Sequence, residues 1–316
     1  MSTSKLYKGP MKVVKRIEDF PSQSSPIALT IGNFDGVHKG HLFVLKHLEQ
    51  TAKKLNALTA VLTFSNHPSS ILKAKEPVEL ICSLENKLRL FHTHKIDFAI
   101  AIPFDHSLSQ SSAHDFIKSL RKHVPFSALV FGSDTAFGKN REGDKSTVRK
   151  LAHDEGFTVE YLDKVKIDEA DISSSRIREL IKSGKFKAVS ELLGRPYSIV
   201  EEIVAGEKVG KSIGYPTLNL HVSGLCTPPL GVYATWVLLD DKKYPAVANL
   251  GIAPTFGSKA EPVLEVHLID ERLDLYGKTV EVIFADFLRP EMKFDSVDDL
   301  KKQIAEDVEK ARRVSS

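Results

Sequence analysis

The sequence predicts an α/β fold: an N-terminal domain with a mostly parallel sheet, then a C-terminal antiparallel barrel or sandwich with a terminal helix. Three observations carry that prediction. From residue 27 to about 185, short apolar runs alternate with segments of helical period, the pattern of βαβ units around a covered parallel sheet. From Tyr197 to about Phe287 the runs become strand-like and are joined by Gly, Pro and Asp, as in antiparallel β folds. The 316 residues are enough chain for about two cores.

The elements follow in order. Residues 27–31 form an unbroken apolar run and read as a buried strand. Leu42, Leu45 and Leu48 recur at helical spacing, so a helix begins near His41 and ends near Asn56. Residues 57–64, 97–102, 128–131 and 157–162 read as further strands, and 114–121 as a helix. Ser173, Ser174 and Ser175 suit a helix N-terminus, with Ile177, Leu180 and Ile181 on its apolar face and Gly184 at its end. A short helix closes at Gly194, and strands are expected at 198–204, 232–238, 246–250, 263–269 and 280–284. Ser296-Val297-Asp298-Asp299 is a capping pattern ahead of a helix carrying Leu300, Ile304 and Val308. The boundary is placed so that the domains are 1–185 and 186–316. The basic cluster from Lys5 to Arg16 reads as a solvated terminus.

Composition narrows the function. A net charge of +3 is too small to argue for nucleic acid or an anionic membrane as partner. Two cysteines, Cys82 and Cys226, make no disulfide framework and fit a reducing cytoplasm. Neither a secretory signal nor a membrane span is expected, because no apolar run approaches roughly 18 residues. His92 and His94 have no acidic or thiol partner at ligand spacing, so they are expected at a helix end or surface rather than on a metal.

The most informative segment runs from Gly32 to His41. It joins the first strand to the first helix through a glycine-rich turn, leaving backbone N–H groups and a positive dipole end at its apex. His38 and His41, three residues apart, share a helix face there. That combination suits a polyphosphate in transfer. Ser65-Asn66-His67-Pro68 and Gly132-Ser133-Asp134 follow other strands, so three loops should meet at the carboxyl ends of the sheet. Ser174 and Ser175, with Arg178 one turn on, offer a second anion clamp.

The C-terminal half holds a near miss. Ala205 to Ser212 almost fits a P-loop, yet Gly214 and Pro216 follow where a helix must open. A glycine-rich loop near phosphate stays open as a reading. Thr217 and Asn219 alternate, so on a strand they face one way, with oxygens suited to Mg2+. Glu265 shares a face with His267 and is either a barrel-lining general base or part of a solvated outer face.

Taken together, these residues resemble the bifunctional bacterial riboflavin kinase/FMN adenylyltransferase family, also called FAD synthetase, across nearly the whole chain. The first domain carries Gly32 to His41 with its His-x-Gly-His, then Thr63 to Pro68, Phe131 to Asp144, and Ile172 to Arg178. The second carries Gly210 to Asn219, Asn249-Leu250-Gly251, Pro254-Thr255, Glu265 to Leu268, Asp274 to Gly277, and Leu288 to Phe294. The resemblance implies a Rossmann-like nucleotidylyltransferase domain followed by a β-barrel riboflavin kinase domain. It implies two reactions, with ATP, riboflavin and FMN as substrates and Mg2+ as cofactor. Glu265 would be the kinase base, Thr217 and Asn219 would hold the metal, and Gly210 and Lys211 would meet ATP. In the other site Gly32, Phe34, Asp35, Ser174 and Ser175 would bind ATP, and His38, His41 and Arg178 would stabilise phosphate charge. His67, Asp134, Arg289 and Phe294 would lie toward flavin. The partners implied are small molecules, with no nucleic acid or membrane, for a cytoplasmic monomer or weak homo-oligomer.

Departures from the family pattern are Thr135 and Ala136 where an aromatic and a larger residue are usual, Lys211 for Arg, Asn66 for Pro, and Ser175 for Thr. Three other readings stay open: a riboflavin kinase with weak or absent adenylylation, a flavin carrier without chemistry, and a nucleotidylyltransferase for another phosphorylated substrate.

Overall fold

In the computed structural model the described residues are 11–73, 75–206, 209–253, 261–271, 273 and 275–315, without the side chains of Val209, Lys211, Ala253 and Ser315. Pro254, Thr255, Asp274 and the Lys211 side chain therefore lie outside the described residues. Backbone contacts gather the chain into two compact units. One comprises residues up to Val78 with Leu84–Ser174, the other Glu79–Ser83 with residues from Ser175 onward.

The first unit runs β1 (Lys12–Val14), β2 (Ile27–Ile31), α1 (Lys39–Leu55), β3 (Leu58–Phe64), α2 (Ser69–Leu72), α3 (Leu84–Thr93), β4 (Phe98–Ile102), α4 (His106–Gln110), α5 (Ala113–His123), β5 (Phe126–Gly132), α6 (Lys145–Glu155) and β6 (Thr158–Leu162). The small hairpin β7 (Lys166–Ile167) and β8 (Ala170–Asp171) follows. Six strands pair in parallel in the order β1-β4-β3-β2-β5-β6. Every residue of β2 is buried. Ile27, Leu29 and Ile31 enter one core layer with Phe116, Leu120 and Phe131, while Ala28 enters the other with Leu45, Leu48 and Phe91. That two-sided burial is why β2 reads as a continuous apolar run instead of an alternating one. The strand order turns back at β2, with β3 on one side and β5 on the other. Open sheets bind ligands outside the carboxyl ends at such a switch point.

The amino-terminal expectation needs correction. Residues 12–14 are not a solvated tail: they pair in parallel with Phe98–Ile100 and close one edge of the sheet, with Met11 buried just ahead. The run is too short and too flanked by lysine to register as a strand.

The second unit continues with α7 (Ser174–Lys182), α8 (Phe186–Leu193), β9 (Ser198–Glu202), the single turn α9 (Val209–Ser212), β10 (Leu218–His221), β11 (Gly231–Leu239), β12 (Lys242–Ala253), β13 (Glu261–Leu268), β14 (Thr279–Arg289) and α10 (Val297–Ser315). Antiparallel pairing gives the order β10-β13-β12-β11-β14-β9. A bridge between Val204, just past β9, and Asn219 in β10 brings the two edge strands together, so the sheet is a nearly closed barrel. Its buried aromatic centre is Tyr197, Tyr233, Phe284 and Phe186. The Tyr197 hydroxyl donates to the Cys226 carbonyl at 2.5 Å, and burial holds the Tyr233 phenol well above its ordinary pKa. α10 covers part of the outer barrel face, where Val308 and Ala311 meet Val232, Ala234 and Val247.

Candidate active sites

The first unit has a cleft of about 530 Å³ at the carboxyl ends of its strands. It takes Gly32, Phe34, His38 and His41 from the turn after β2, and Phe64, Pro68 and Leu72 from the end of β3. Asp134 to Gly138 follow β5, Leu162 to Val165 follow β6, and Ser174 opens α7. The loops expected to converge do meet here.

The turn is built with care for its backbone. Phe34 and Val37, neither of them glycine, take positive φ values of 51° and 39°. Such residues persist in the left-handed region only where surroundings hold them. Two donors do so at Asn33: Lys87 Nζ reaches its carbonyl oxygen at 2.8 Å and Thr63 Oγ1 at 3.0 Å. Lys87 also approaches Thr63 Oγ1 and the Phe64 carbonyl, each at 3.4 Å, and is only 3% exposed. Sequence reasoning missed it, because one lysine in a helix with no other marker carries no signal of burial.

His38 caps α1. Its Nδ1 accepts the His41 backbone N–H at 3.3 Å, so the proton of the neutral ring sits on Nε2. The two imidazoles stack with centroids 3.6 Å apart and planes 14° apart. Phe34 supports His41 from 5.0 Å. Gly40 makes this possible, since a Cβ there would come within 3.2 Å of the His38 ring. Ser174 Oγ donates to the Asp35 carbonyl at 3.1 Å, joining the start of α7 to the turn. Asp35 itself is 1% exposed and does not line the cleft.

On the other flank, Asp134 is held from two sides. Lys164 Nζ lies 3.3 Å from its carboxylate and 3.1 Å from that of Asp171, and Arg141 donates to its carbonyl at 3.2 Å. The hydrogen bond to Asp171 and then the charge of Asp134 raise the Lys164 pKa. Lys164 and Arg141 thus bring two cations to the cleft that sequence reasoning left unread. His67 stands back from the cleft: its Nδ1 accepts the Ser69 N–H at 3.1 Å, while neighbouring Pro68 lines the wall. Asn66, in place of the usual proline, exchanges two hydrogen bonds with the Phe104 backbone, at 2.7 and 2.9 Å. In the second unit, Arg178 Nε donates to the Glu79 carbonyl at 2.7 Å, and Ser175 is exposed at the start of α7.

The second unit has its own cleft of about 300 Å³, on the outside of the barrel. Glu265 is therefore not a barrel-lining residue. Leu264, Val266 and Leu268 point into the core, and the alternation of β13 turns Glu265 outward and exposed. The outer face here is nevertheless a site. Glu265 lies directly opposite Asn219 of β10 and Asn249 of β12, so the three side chains form a row on one face. Gly210, Thr217, Asn249, Glu265 and His267 line the cleft together with Arg289, Glu291, Phe294, Leu300 and Ile304. Asn219 is 8% exposed and sits behind the lining. Gly206 packs against its amide, and a Cβ there would lie 2.5 Å from Asn219 Cγ. His267 Nδ1 shares a 2.9 Å hydrogen bond with the Pro216 carbonyl and fixes the segment ahead of Thr217. No helix opens after Ser212, as the rejection of a P-loop requires; Gly214 turns the chain with φ of 96° instead.

A glycine turn with paired imidazoles at a parallel-sheet switch point, and a carboxylate flanked by amides on a barrel, define an enzyme of two modules that transfers parts of nucleotides. The sequence profile of the FAD synthetase family matches residues 20–176, and that of riboflavin kinase matches 193–315. The bifunctional riboflavin kinase/FMN adenylyltransferase of Haemophilus influenzae is 37% identical over 96% of this chain and 98% of its own. Its Escherichia coli K12 counterpart is 34% identical over 96% and 97%. A Streptococcus pneumoniae crystal structure described as a macrolide-efflux protein superposes with a TM-score of 0.80 at 29% identity, covering 96% of this chain and 99% of that one. The chain belongs to the bifunctional riboflavin kinase/FMN adenylyltransferase family. Among the described residues no helix is long and apolar enough to cross a membrane.

Proposed function

We propose that riboflavin becomes FMN at the barrel cleft and FMN becomes FAD at the cleft of the parallel sheet, with ATP consumed at each. The observation that carries this assignment is the pair of separate clefts, one lined by Gly32, His38, His41 and Ser174 and the other by Gly210, Thr217 and Glu265. The domain limits proposed are 1–185 for adenylylation and 186–316 for the kinase.

In the kinase reaction the terminal ribityl hydroxyl attacks the γ-phosphorus of ATP, ADP leaves, and Glu265 takes the hydroxyl proton. Thr217 and Asn219, with Glu265 beside them, present hard oxygens that fit Mg2+. Among the described residues no three His, Cys, Asp or Glu side chains cluster as a metal cage, so Thr217 and Asn219 are the residues that would hold the ion. The ion, when bound, neutralises charge on the ATP phosphates. Gly210 and Lys211 lie on the ATP side, Arg289 and Phe294 on the flavin side.

In adenylylation an FMN phosphate oxygen attacks the α-phosphorus of ATP and pyrophosphate leaves. The nucleophile is already an anion, so no base is required. His38, His41, Ser174, Ser175 and Arg178 stabilise charge developing on the phosphates; Gly32 and Phe34 meet the ATP, and Asp35 belongs to the same turn. Asp134 and the His67 loop face the flavin. The enzyme acts in the cytoplasm as a monomer or weak homo-oligomer, with neither nucleic acid nor membrane as partner.

Riboflavin, ATP and Mg2+ should yield FMN and then FAD with pyrophosphate, read by chromatography. Thr135 and Ala136 line the adenylylation cleft and favour one second reading, a kinase with weak adenylylation. Supplied FMN that gives no FAD would select it, and riboflavin that gives no FMN would leave a flavin carrier.

A further inference from the structure

We infer that Asp307 is a positioning residue of the kinase reaction: from the terminal helix it fixes the Arg289 guanidinium at the flavin end of the barrel cleft. The inference rests on the assignment of Arg289 to flavin. Asp307 is 1% exposed. Its Oδ2 accepts Arg289 Nε at 2.9 Å and pairs with Nη2 at 2.8 Å. Its Oδ1 takes Arg289 Nε at 3.2 Å and Gln303 Nε2 at 3.1 Å. Arg289 Nη1 donates to the Pro290 carbonyl at 3.0 Å, and the guanidinium stands 5.8 Å from the Phe294 ring.

The geometry sets a plane. A carboxylate gripping one edge of the fork removes the rotation that a lysine or an unpaired arginine would keep. Three of the five N–H donors are then engaged, leaving one on each terminal nitrogen for a ligand. Arg289 and Asp307 both line the cleft. A buried pair of this kind is weak evidence for stability, since its desolvation offsets its attraction. Orientation is the better account of why a carboxylate is kept there.

The test uses the full chain and four readouts: riboflavin binding by flavin fluorescence, KM for ATP, FAD formation from supplied FMN, and thermal unfolding. Asp307→Asn should weaken riboflavin binding about tenfold, leave KM for ATP within about twofold, and leave FAD formation unchanged. Arg289→Lys should do the same. The double variant should be no worse than either single one, because both remove one oriented group. If Arg289→Lys weakens riboflavin and Asp307→Asn lowers only the unfolding temperature, Asp307 is a helix staple and the inference is wrong. If Arg289→Lys leaves riboflavin binding intact, the assignment of Arg289 itself falls, and the inference with it. Should Asp307→Asn fail to fold, Gln303→Leu removes one bond to Oδ1 and should weaken riboflavin about threefold; no change there overturns the proposal.

Discussion

Lys87 puts an ammonium group, 3% exposed, against the carbonyl of Asn33 at the apex of the adenylylation turn. Burying a charge costs several kcal/mol before its partners are counted, so replacing it with an apolar side chain of similar length changes stability little. The catalytic effect should be larger. Lys87→Met leaves only Thr63 holding that carbonyl, and the turn carries Phe34 and Val37 at positive φ. FAD formation from FMN should fall about tenfold or more, equivalent to ~1.4 kcal/mol of transition-state stabilisation, while FMN formation from riboflavin is unchanged. Steady-state assays of the two steps check this. Glu265→Gln and His41→Ala form the complementary pair: the first should cut FMN formation by roughly 10²–10⁴ and spare adenylylation, the second should do the reverse. The histidines stood out in the sequence because they lie three residues apart at a helix start, and Glu265 through the resemblance to the family. Lys87 and Lys164 did not, because each becomes relevant through a partner far along the chain: Asn33 and Asp134 respectively.

Elements were legible where one period dominates over a full run. β2 and α1 were clear for that reason, and so was α10, whose Val308 and Ala311 face the barrel. α3 and α6 were not, since lysines and histidines interrupt their apolar stripes, and β1 is three residues long. Whether Glu265 faced in or out was likewise beyond periodicity, which finds two faces of β13 without saying which is inside; burial of Leu264 and Val266 decides it. The loop ahead of β10 gives a test at this scale. It resembles a P-loop in composition, yet Gly206 packs on the Asn219 side chain and Val204 closes the barrel against the Asn219 backbone. Gly206→Ala would force a methyl group against an amide that cannot yield without moving the row it shares with Glu265. Kinase turnover should drop about tenfold, with KM for ATP raised and adenylylation of FMN untouched. A variant with normal kinase activity would show that this loop takes no part in the site.

At the scale of the molecule, two reactions in series share one chain, and the product of the first is the acceptor of the second. The residues lining each cleft come from one compact unit: those of the adenylylation cleft run up to Ser174, and those of the barrel cleft start at Gly210. On the proposed assignment Glu265, Thr217 and Asn219 take no part in adenylylation and His38 and His41 take none in the kinase step, so FMN alone should link the two reactions. Mixing the Glu265→Gln chain with the His41→Ala chain tests this directly. Neither variant alone should make FAD from riboflavin, since the first makes no FMN and the second cannot adenylylate it. Together they should do so after a lag, as FMN released by the His41→Ala chain accumulates and is taken up by the Glu265→Gln chain. The lag should shorten as the concentration of either chain rises, and added FMN should abolish it. If the mixture makes FMN but no FAD, while the Glu265→Gln chain still adenylylates supplied FMN, then FMN is retained on the chain that made it. Independence of the two sites would then be wrong even though their linings share no residue.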